Sequence, residues 1–519
     1  MKNYRKTWRV ISFFGILLLA TGLLAAPVLS ETPKKGGWLT VATDATAVGL
    51  DPHLSITFST YTFTEHVYEC LLRYDYNMEL MPGLAVSWDH PDPLTYIFHL
   101  RKGVKWHNGQ DFTSEDVKFS FDRILDPKVG SPIAKIFKGV KSIEAPDTYT
   151  VKISLKETFP DFLRYAAFIR NSAIVCKSEV LKHGSLQKHM VGTGPFKLKE
   201  YKHGVGATFE RNPDYWDQPL PYIDGFKFVV VKDEASRLAG IRKKIYDIGW
   251  VKGIQLANLA KKEPHITISK SSEDRQGRLF LNHSKFPFNN VKLRQAVASC
   301  IDRKAIINHV LLGNGVLSTI IPPVSVPFVL SQKEIADLPY YKQDYELAKK
   351  LLKEAGHPDG FEFTIKTSPH SPDYVPTCEM IAQQCAKVGI KVKIRQMDWG
   401  VFQKVRRSKD YQATYYAGSW RASPVGYFYR YMRGGQKADE TLQNDPDINR
   451  LMDLTLTEPD PKKRKEIFKE LQYKTADTVT VIIPYAMPGR FEMVNKKIKG
   501  YHFMANRGRA YLRQAWISE

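Results

Sequence analysis

The stretch that decides the fold reads FEFTIKTSPHSPDYVPTCEMIAQQCAKVGIKVKIR and covers residues 361–395. Both ends alternate apolar and polar residues, which is typical of strands, and the middle predicts a helix from about Thr377 to Lys387 that Gly389 ends. The apolar strand positions are Phe361, Phe363, Ile365, Ile390, Val392 and Ile394. A strand, a helix and a strand with short connections indicate a right-handed crossover in a parallel sheet. The sequence therefore predicts an α/β fold for this part of the chain.

Shorter elements are predicted nearer the N-terminus. Residues 96–100 and 151–155 alternate as strands, and Pro146-Asp147 indicates a hairpin turn before the second of them. Between them, Thr113 opens a capping-box-like sequence that is followed by apolar residues at helical spacing. These features predict a hairpin and a helix in this region.

The first thirty residues have the pattern of a secretory signal. Four basic residues precede an apolar run from Val10 to Ala26, and cleavage is expected near Ser30. An uncleaved membrane anchor is the alternative, because the run approaches the roughly 18 residues that span a bilayer. The first cysteine is Cys70, so no cysteine near the cleavage site is available for lipid attachment. The sequence predicts a mature protein in the periplasm that is not a lipoprotein.

The chain is strongly basic. Its 519 residues carry a formal net charge of +22, and the first thirty hold four basic and no acidic side chains, so the mature chain would carry +18. Such a surplus indicates an anionic ligand, attraction to acidic lipid head groups, or simply a basic solvated surface. We find no basic run with interleaved aromatic residues, so nucleic acid is not expected as a partner.

The cysteines, histidines and short motifs predict neither a metal site nor catalysis. The five cysteines are an odd number, and Cys378 and Cys385 lie about 10 Å apart along one predicted helix, too far for a disulfide. No cysteine or histidine spacing matches a metal site. Residues 192–194 read Gly-Thr-Gly but run into a strand, whereas a phosphate loop needs a helix N-terminus. We expect no metal, no cofactor and no enzymatic activity.

Several blocks, in order along the mature chain, resemble the periplasmic binding proteins for oligopeptides, dipeptides, nickel chelates and some sugars, known as solute-binding protein family 5. The most diagnostic is Leu-Arg-Lys-Gly-Val-Lys-Trp-His-Asn-Gly at residues 100–109, which continues to residue 117. In one departure, Cys70 stands where the family usually has glycine. The other blocks are residues 49–52, 67–74, 84–88, 192–196, 211–216, 291–296 and 301–303, and the helix end at 351–360.

The resemblance implies a type II-like periplasmic binding protein fold, with two α/β lobes joined by a hinge and an inserted α+β domain. It implies two chain crossings, near residues 275 and 489, that form the hinge. The implied divisions are 1–30 for the signal, 31–70, 185–275 and 490–519 for lobe I, 71–184 for the inserted domain II, and 276–489 for lobe III.

The family resemblance also implies a function. The chain would be a monomer that captures a small solute or short peptide between its lobes and delivers it to an inner-membrane ABC permease with cytoplasmic ATPase subunits. Alternatives are a periplasmic chaperone, or a sensory protein that presents its ligand without a permease. Within transport, a haem or nickel-chelate binder is a further alternative.

One departure from the family bears on the solute. Peptide-binding relatives carry a tryptophan followed shortly by an aspartate that pairs with the peptide's α-ammonium group, whereas here Trp420 is followed by Ser423 in the place of the aspartate. Arg421 offers a planar fork suited to a carboxylate or phosphate. We therefore expect an anionic or hydroxyl-rich solute. The alternative is that Arg421 faces water and that another acid, such as Asp274, replaces the missing one.

The remaining candidates are aromatic or cationic. Trp420, Tyr427, Trp399 and Tyr61 could stack on the ligand, although an aromatic residue near a loop is more often part of the packing. Arg275, beside the expected hinge, is either a second anion contact or a surface charge.

Overall fold

A computed structural model describes residues 32–55, 57–270, 275–325, 327–419, 423–504 and 508–518. The predicted signal at residues 1–30 lies outside the described residues, as do Asp274, Trp420 and Arg421. Within the described ranges, no helix is both long enough and apolar enough to cross a membrane.

Strands and short helices alternate along the chain. The strands are β1 (Trp38–Thr43), β2 (Leu72–Tyr74), β3 (Leu80–Pro82), β4 (Ala85–Asp92), β5 (Thr95–Leu100), β6 (Val140–Asp147), β7 (Thr150–Leu155), β8 (Phe196–Lys202), β9 (Gly206–Arg211), β10 (Gly225–Val230), β11 (Ile248–Val251), β12 (Ile266–Lys270), β13 (Arg275–Leu281), β14 (Glu362–Thr367), β15 (Lys391–Gln396), β16 (Ala413–Ser419), β17 (Val481–Ile482), β18 (Ala486–Met487), β19 (Phe491–Asn495), β20 (Ile498–Lys499) and β21 (Trp516–Ile517). The helices are α1 (Phe58–Thr64), α2 (Ser114–Leu125), α3 (Phe162–Ala166), α4 (Ile169–Ser172), α5 (Lys177–His183), α6 (Glu234–Arg242), α7 (Ile254–Ala260), α8 (Val291–Cys300), α9 (Arg303–His309), α10 (Gln332–Ala336), α11 (Tyr345–Glu354), α12 (Tyr374–Ala386), α13 (Trp399–Ser408), α14 (Val425–Met432), α15 (Pro446–Thr457) and α16 (Pro461–Asp477).

The first sheet is assembled from distant parts of the chain. Its strand order is β12-β19-β11-β1-β10-β9-β8, with β1 parallel to both β10 and β11. Strand β19, close to the C-terminus, lies between β11 and β12 and is antiparallel to both. This sheet therefore unites the N-terminal strand, the middle of the chain and the C-terminal region.

The second sheet is a four-stranded antiparallel sheet in the order β4-β5-β7-β6. The strands predicted at 96–100 and 151–155 are confirmed, and α2 begins with the predicted capping box, in which Thr113 and Asp116 bond each other's backbone. The hairpin turn lies at residues 148–149, because β6 continues through Pro146 and Asp147. The predicted position of this turn was therefore wrong by about two residues.

The third sheet contains residues 361–395, for which the sequence predicts a crossover. Its path is β15-β14-β16-β13-β17, and β18 pairs with β13. Strands β14 and β15 are parallel with α12 between them, so the predicted crossover is confirmed. The chain enters this sheet between β12 and β13 and returns to the first sheet between β18 and β19. The proposed hinge falls on these two connections, and the lobe boundaries stay a prediction.

Two large apolar cores hold the molecule together. One joins residues of the first sheet, such as Val41 and Phe226, to residues around the second sheet, such as Phe98 and Phe121. The other joins the third sheet, including Leu279 and its neighbours, to the helices that cover it. Mixed α/β lobes of this kind form the expected two-lobe, type II-like fold.

All five cysteines are buried and free. Cys378 and Cys385 are not joined, in agreement with the expectation from their spacing. The thiol of Cys385 on α12 lies near that of Cys300 on α8, and this neighbour together with burial raises the pKa of Cys385. Burial is the usual state of a structural cysteine that behaves as a small apolar residue.

Gly192 allows two chain segments to approach closely, and replacing it should be destabilising. A Cβ at this position would lie 1.8 Å from the carbonyl oxygen of Val67, which is a backbone atom that cannot easily move. We expect Gly192→Ala to lower the free energy of unfolding by about 2–4 kcal/mol in urea titrations. Gly139→Ala is the matched control, because its Cβ would meet nothing closer than 3.8 Å. Equal losses in the two variants would contradict this explanation.

Candidate functional site

A cavity of about 170 Å³ lies beside the two connections between the first and third sheets. Lys252 follows the carboxyl end of β11, and the loop that contains His370 follows the carboxyl end of β14. In α/β proteins, ligands commonly bind in a crevice at the carboxyl ends of the strands. The cavity is lined by Lys252, Ile254, Gln255, Arg275, Val310, His370, Ser371, Pro372, Asp373, Tyr374, Met487 and Gly489.

Arg275 lies in this cavity and is paired. Its Nη2 lies 3.0 Å from Oδ1 of Asp373 and donates to the hydroxyl of Ser371 at 2.9 Å. Burial raises the pKa of Asp373, but the charge of Arg275 and the hydrogen bonds from Ser371, Tyr485 and Arg275 together hold that pKa below its ordinary value. With 13% of its side chain exposed, Arg275 is not a surface charge. Its predicted contact with an anion stays a prediction.

Trp399 lies next to the same cavity. Its ring stacks on the imidazole of His370, with the centroids 4.4 Å apart and the planes at 15°. Partial burial, followed by the charges of Lys252 and Arg275, lowers the pKa of His370. The imidazole is therefore neutral at pH 7, where it can donate one hydrogen bond and accept another. The structure thus brings Trp399 and Arg275 to one site.

Ser423 contacts an acid that the sequence reasoning missed. Its hydroxyl donates to Oδ2 of Asp161, which precedes α3, and accepts from the backbone N–H of Val425 at 3.1 Å. Oδ1 of Asp161 is paired with Nη1 of Arg464 at 2.8 Å. Asp161 is 262 positions from Ser423, so no local signal in the sequence could have identified it.

The remaining residues predicted from the sequence are Tyr427, Trp420, Arg421 and Tyr61. Tyr427 lies on α14, while Trp420 and Arg421 lie outside the described residues. Tyr61 is 4% exposed, with its ring 5.3 Å from that of Phe168, and it lines a separate cavity of about 50 Å³. Tyr61 is therefore not brought to the cavity that contains Arg275.

The smaller cavity contains a buried acid, Glu65. One of its oxygens accepts from the backbone N–H of Arg509 at 2.8 Å. Burial raises the pKa of Glu65 to about 8, and neighbouring Arg509 offsets only part of that effect. Glu65 is therefore mainly protonated at neutral pH. Tyr61, on the preceding helical turn, lies near this carboxyl, but Oε2 of Glu65 has no hydrogen-bond partner within the described residues.

Glu65 should make stability depend on pH. The native carboxyl holds its proton up to about pH 8, whereas the unfolded one releases it near 4.5, so its contribution to stability falls as pH rises between these values. Glu65→Gln lacks this titration. We expect its unfolding free energy relative to wild type to improve by roughly 2–3 kcal/mol between about pH 6 and pH 9. Parallel stability curves for the two proteins over this range would contradict the assignment.

A family model described as "Bacterial extracellular solute-binding proteins, family 5 Middle" matches residues 79–440. The chain belongs to this family. Its relatives in family 5 are solute-binding proteins and not enzymes, and they include proteins described as periplasmic.

Individual relatives span almost the whole of this family 5 chain. The "Dipeptide-binding protein" of Escherichia coli (strain K12) is 29% identical over 526 residues, covering 94% of this chain and 96% of its own. HbpA2 from Haemophilus parasuis has a TM-score of 0.82 at 25% identity, covering 93% of this chain and 100% of its own. AgaA from A. tumefacien R10, solved with agropinic acid, has a TM-score of 0.70 at 26% identity, covering 93% and 99%.

Proposed function

We propose that this protein is the extracytoplasmic substrate-binding subunit of an ABC importer and that its solute is peptide-sized and anionic or hydroxyl-rich. The observation that carries the choice of solute is the environment of Ser423. It stands where peptide-binding relatives place an aspartate, and Asp161, the acid that lies against it, is already paired with Arg464. Within the part of the chain that the structure describes, a free α-ammonium group would find no uncompensated carboxylate at this position.

The mechanism follows from the two connections between the sheets. A hinge lets an open form admit the solute, and a solute that contacts both walls stabilises the closed form by its greater affinity for that form. Nanomolar to micromolar capture requires about −12 to −8 kcal/mol of binding free energy. Lys252 and Arg275 approach the cavity from the first and third sheets, so both walls carry a cation.

The charges of the cavity also favour an anion. Asp373 compensates Arg275, Lys252 adds a further positive charge, and His370 is neutral at pH 7. Trp399 stacks on His370, which lines the cavity, and an aromatic ring so close to the cavity is suited to stacking on the apolar face of a sugar or on a flat group. The relative solved with agropinic acid is consistent with an acidic solute.

A binding experiment tests this preference. We expect free-amine di- to pentapeptides to bind the purified protein no tighter than micromolar, and the same peptides carrying an N-succinyl group to bind at least roughly tenfold tighter, because the added carboxylate replaces the ammonium charge. Isothermal titration calorimetry measures both series. Submicromolar binding of free peptides that amine blocking abolishes would contradict the proposal. Native mass spectrometry of freshly purified protein adds an unbiased search for a bound solute.

A dipeptide or oligopeptide remains the second candidate, since the E. coli relative is named for dipeptides. In that case another acid, such as Asp274, would bind the α-ammonium group. Asp274→Asn would then weaken binding of free peptides and leave N-succinyl peptides unaffected.

The proposal extends to processing and partners. The mature chain would begin near residue 31 in the periplasm without a lipid, act as a monomer, and dock on an inner-membrane permease served by ATPase subunits. Intact-mass measurement of protein isolated from the periplasm tests the cleavage site. A mass that retains the first thirty residues would indicate the anchored alternative.

A further inference from the structure

A further pocket, of about 460 Å³, opens on the part of the molecule built around the third sheet. It shares no lining residue with the cavity that contains Arg275. Its lining includes five cations and one acid, so five minus one leaves a formal charge of +4. We call it the basic pocket and define it by its charged residues, Arg406, Arg407, Lys409, Arg430, Lys437 and Glu440.

The acid of the basic pocket does not neutralise this surplus. Both oxygens of Glu440 accept from Arg406, one from Nη2 and the other from Nε at 3.1 Å, and the hydroxyl of Tyr416 also donates to Glu440 at 3.2 Å. Asp439, next in sequence, is 1% exposed, and its carboxyl accepts from the backbone N–H and the hydroxyl of Thr441. The pair of Arg406 and Glu440 is neutral as a whole, so four cations remain.

These four cations have few partners. Arg407 and Lys437 are exposed, and neither forms a hydrogen bond or an ion pair with the part of the chain that the structure describes. The guanidinium of Arg430 lies over the ring of Tyr431, with its carbon 5.3 Å from the centroid. Lys409 donates to a backbone carbonyl, and partial burial lowers its pKa because neighbouring acids offset only part of that effect. An anion could therefore enter without separating any of these four from a carboxylate.

Helix ends explain only part of this arrangement. Arg406 and Arg407 lie in the last turn of α13, and Arg430 lies in the last turn of α14. Cations are favourable there because a helix C-terminus carries about half a negative charge, and two such ends reduce the surplus to about +3. Lys409 has a φ of 60°, where glycine or asparagine is usual, and Lys437 lies in the loop after α14. Three separate segments thus bring cations to one place.

A generally basic surface does not explain the basic pocket either. A pocket of about 390 Å³ lined by residues of α15 and α16 has two cations and three acids. Another, of about 470 Å³ beside β8, has two lysines, two glutamates and one histidine. Pockets of similar size on the same molecule are therefore neutral or slightly acidic, and the surplus is particular to the basic pocket.

We propose that the basic pocket binds the phosphate group of an organic phosphate, which is either a soluble ester or the head group of an acidic lipid. A guanidinium binds phosphate oxygens through two parallel hydrogen bonds, and an ammonium group adds a point charge. The volume lies within the roughly 300–1,000 Å³ of small-molecule pockets, so it leaves room for the organic part of the ligand. This inference does not depend on which solute binds beside Arg275.

Two probes test the proposal on the purified protein and distinguish the two sources. Isothermal titration calorimetry measures binding of glycerol 3-phosphate, with glycerol as the uncharged probe. Flotation measures binding to vesicles of equal parts phosphatidylglycerol and phosphatidylcholine, with phosphatidylcholine alone as the neutral surface. We expect at least one phosphate probe to bind and Arg407→Gln/Lys437→Gln to weaken that binding by roughly tenfold or more. Binding of glycerol 3-phosphate would identify a soluble ester, and binding to phosphatidylglycerol vesicles alone would identify a lipid head group.

A matched control separates the basic pocket from the net charge. Lys353 and Lys387 are exposed, lie outside the basic pocket, and form no ion pair within the described residues. Lys353→Gln/Lys387→Gln removes the same two charges and should weaken binding by less than about twofold. Both double variants should keep the melting temperature of wild type, because all four side chains are exposed.

Two results would overturn the inference: binding of neither phosphate probe, or equal losses in the two double variants. Failure of every solute to bind in the cavity that contains Arg275, with phosphate binding as expected, would instead count against the proposed function alone.

Discussion

Replacing Arg509 with methionine is expected to lower the free energy of unfolding by about 3–5 kcal/mol. Its guanidinium lies 2.6 Å from Oε1 of Glu492, and both side chains are completely buried. The backbone N–H of Arg509 also binds Glu65, which ties the C-terminal segment to α1. The substitution leaves the carboxylate of Glu492 buried without its counter-charge, and Tyr501, which also donates to Glu492, cannot supply one. Urea unfolding monitored by circular dichroism measures the loss.

Two variants check the cause of that loss. Removing both charges with Arg509→Met/Glu492→Leu should recover part of the stability, because a buried pair can often be replaced by apolar side chains at little cost. Lys350→Met breaks an exposed pair with Glu354 and should change stability by less than about 0.5 kcal/mol. A double variant less stable than Arg509→Met would show that packing, and not the unpaired carboxylate, explains the effect.

Replacing Arg275 with methionine, beside the proposed hinge, should have a comparable effect on stability. The substitution leaves Asp373 buried and accepting only from neutral donors, the hydroxyls of Ser371 and Tyr485. We expect a loss of about 3–5 kcal/mol in unfolding free energy at pH 7. Since the native pKa of Asp373 is depressed, the stabilisation is present above the unfolded pKa and is lost as pH falls through the native value. Without Arg275, burial raises the pKa of Asp373, so the variant takes up this proton at a higher pH than wild type, and the difference in stability should shrink progressively as pH falls below 7.

A second substitution separates the structural role of Arg275 from contact with the solute. Arg275→Met/Asp373→Leu removes both charges and should restore much of the stability. If Arg275 also binds the solute, the affinity for N-succinyl peptides should be lower than that of wild type in Arg275→Met and equally low in this double variant. If affinity recovers together with stability, the predicted anion contact of Arg275 is wrong.

Local patterns were enough to predict several elements. The crossover of β14, α12 and β15 and the capping box at Thr113 depend on residues that are neighbours in sequence, so alternation and helical spacing revealed them. The position of β19 between β11 and β12 depends on pairing across more than 200 residues. Periodicity within a short strand contains no information about such a partner.

The candidate site likewise has residues that the sequence could predict and contacts that it could not. Arg275 could be placed near the hinge from the order of the family's sequence blocks, but its partner Asp373 lies 98 positions away. Ser423 was singled out because an aspartate was missing from its place. The contact of Asp161 with Ser423 follows only from the packing of two segments that are 262 positions apart in the sequence.

The position of β19 has a consequence for secretion. Under the proposed export, β11 and β12 have no strand between them until the last thirty or so residues have crossed the membrane, and the first sheet remains in two pieces. An exported chain would thereby be kept from completing this sheet before the whole sequence has crossed. The first sheet is completed only when contacts between distant parts of the sequence have formed, and such contacts form slowly.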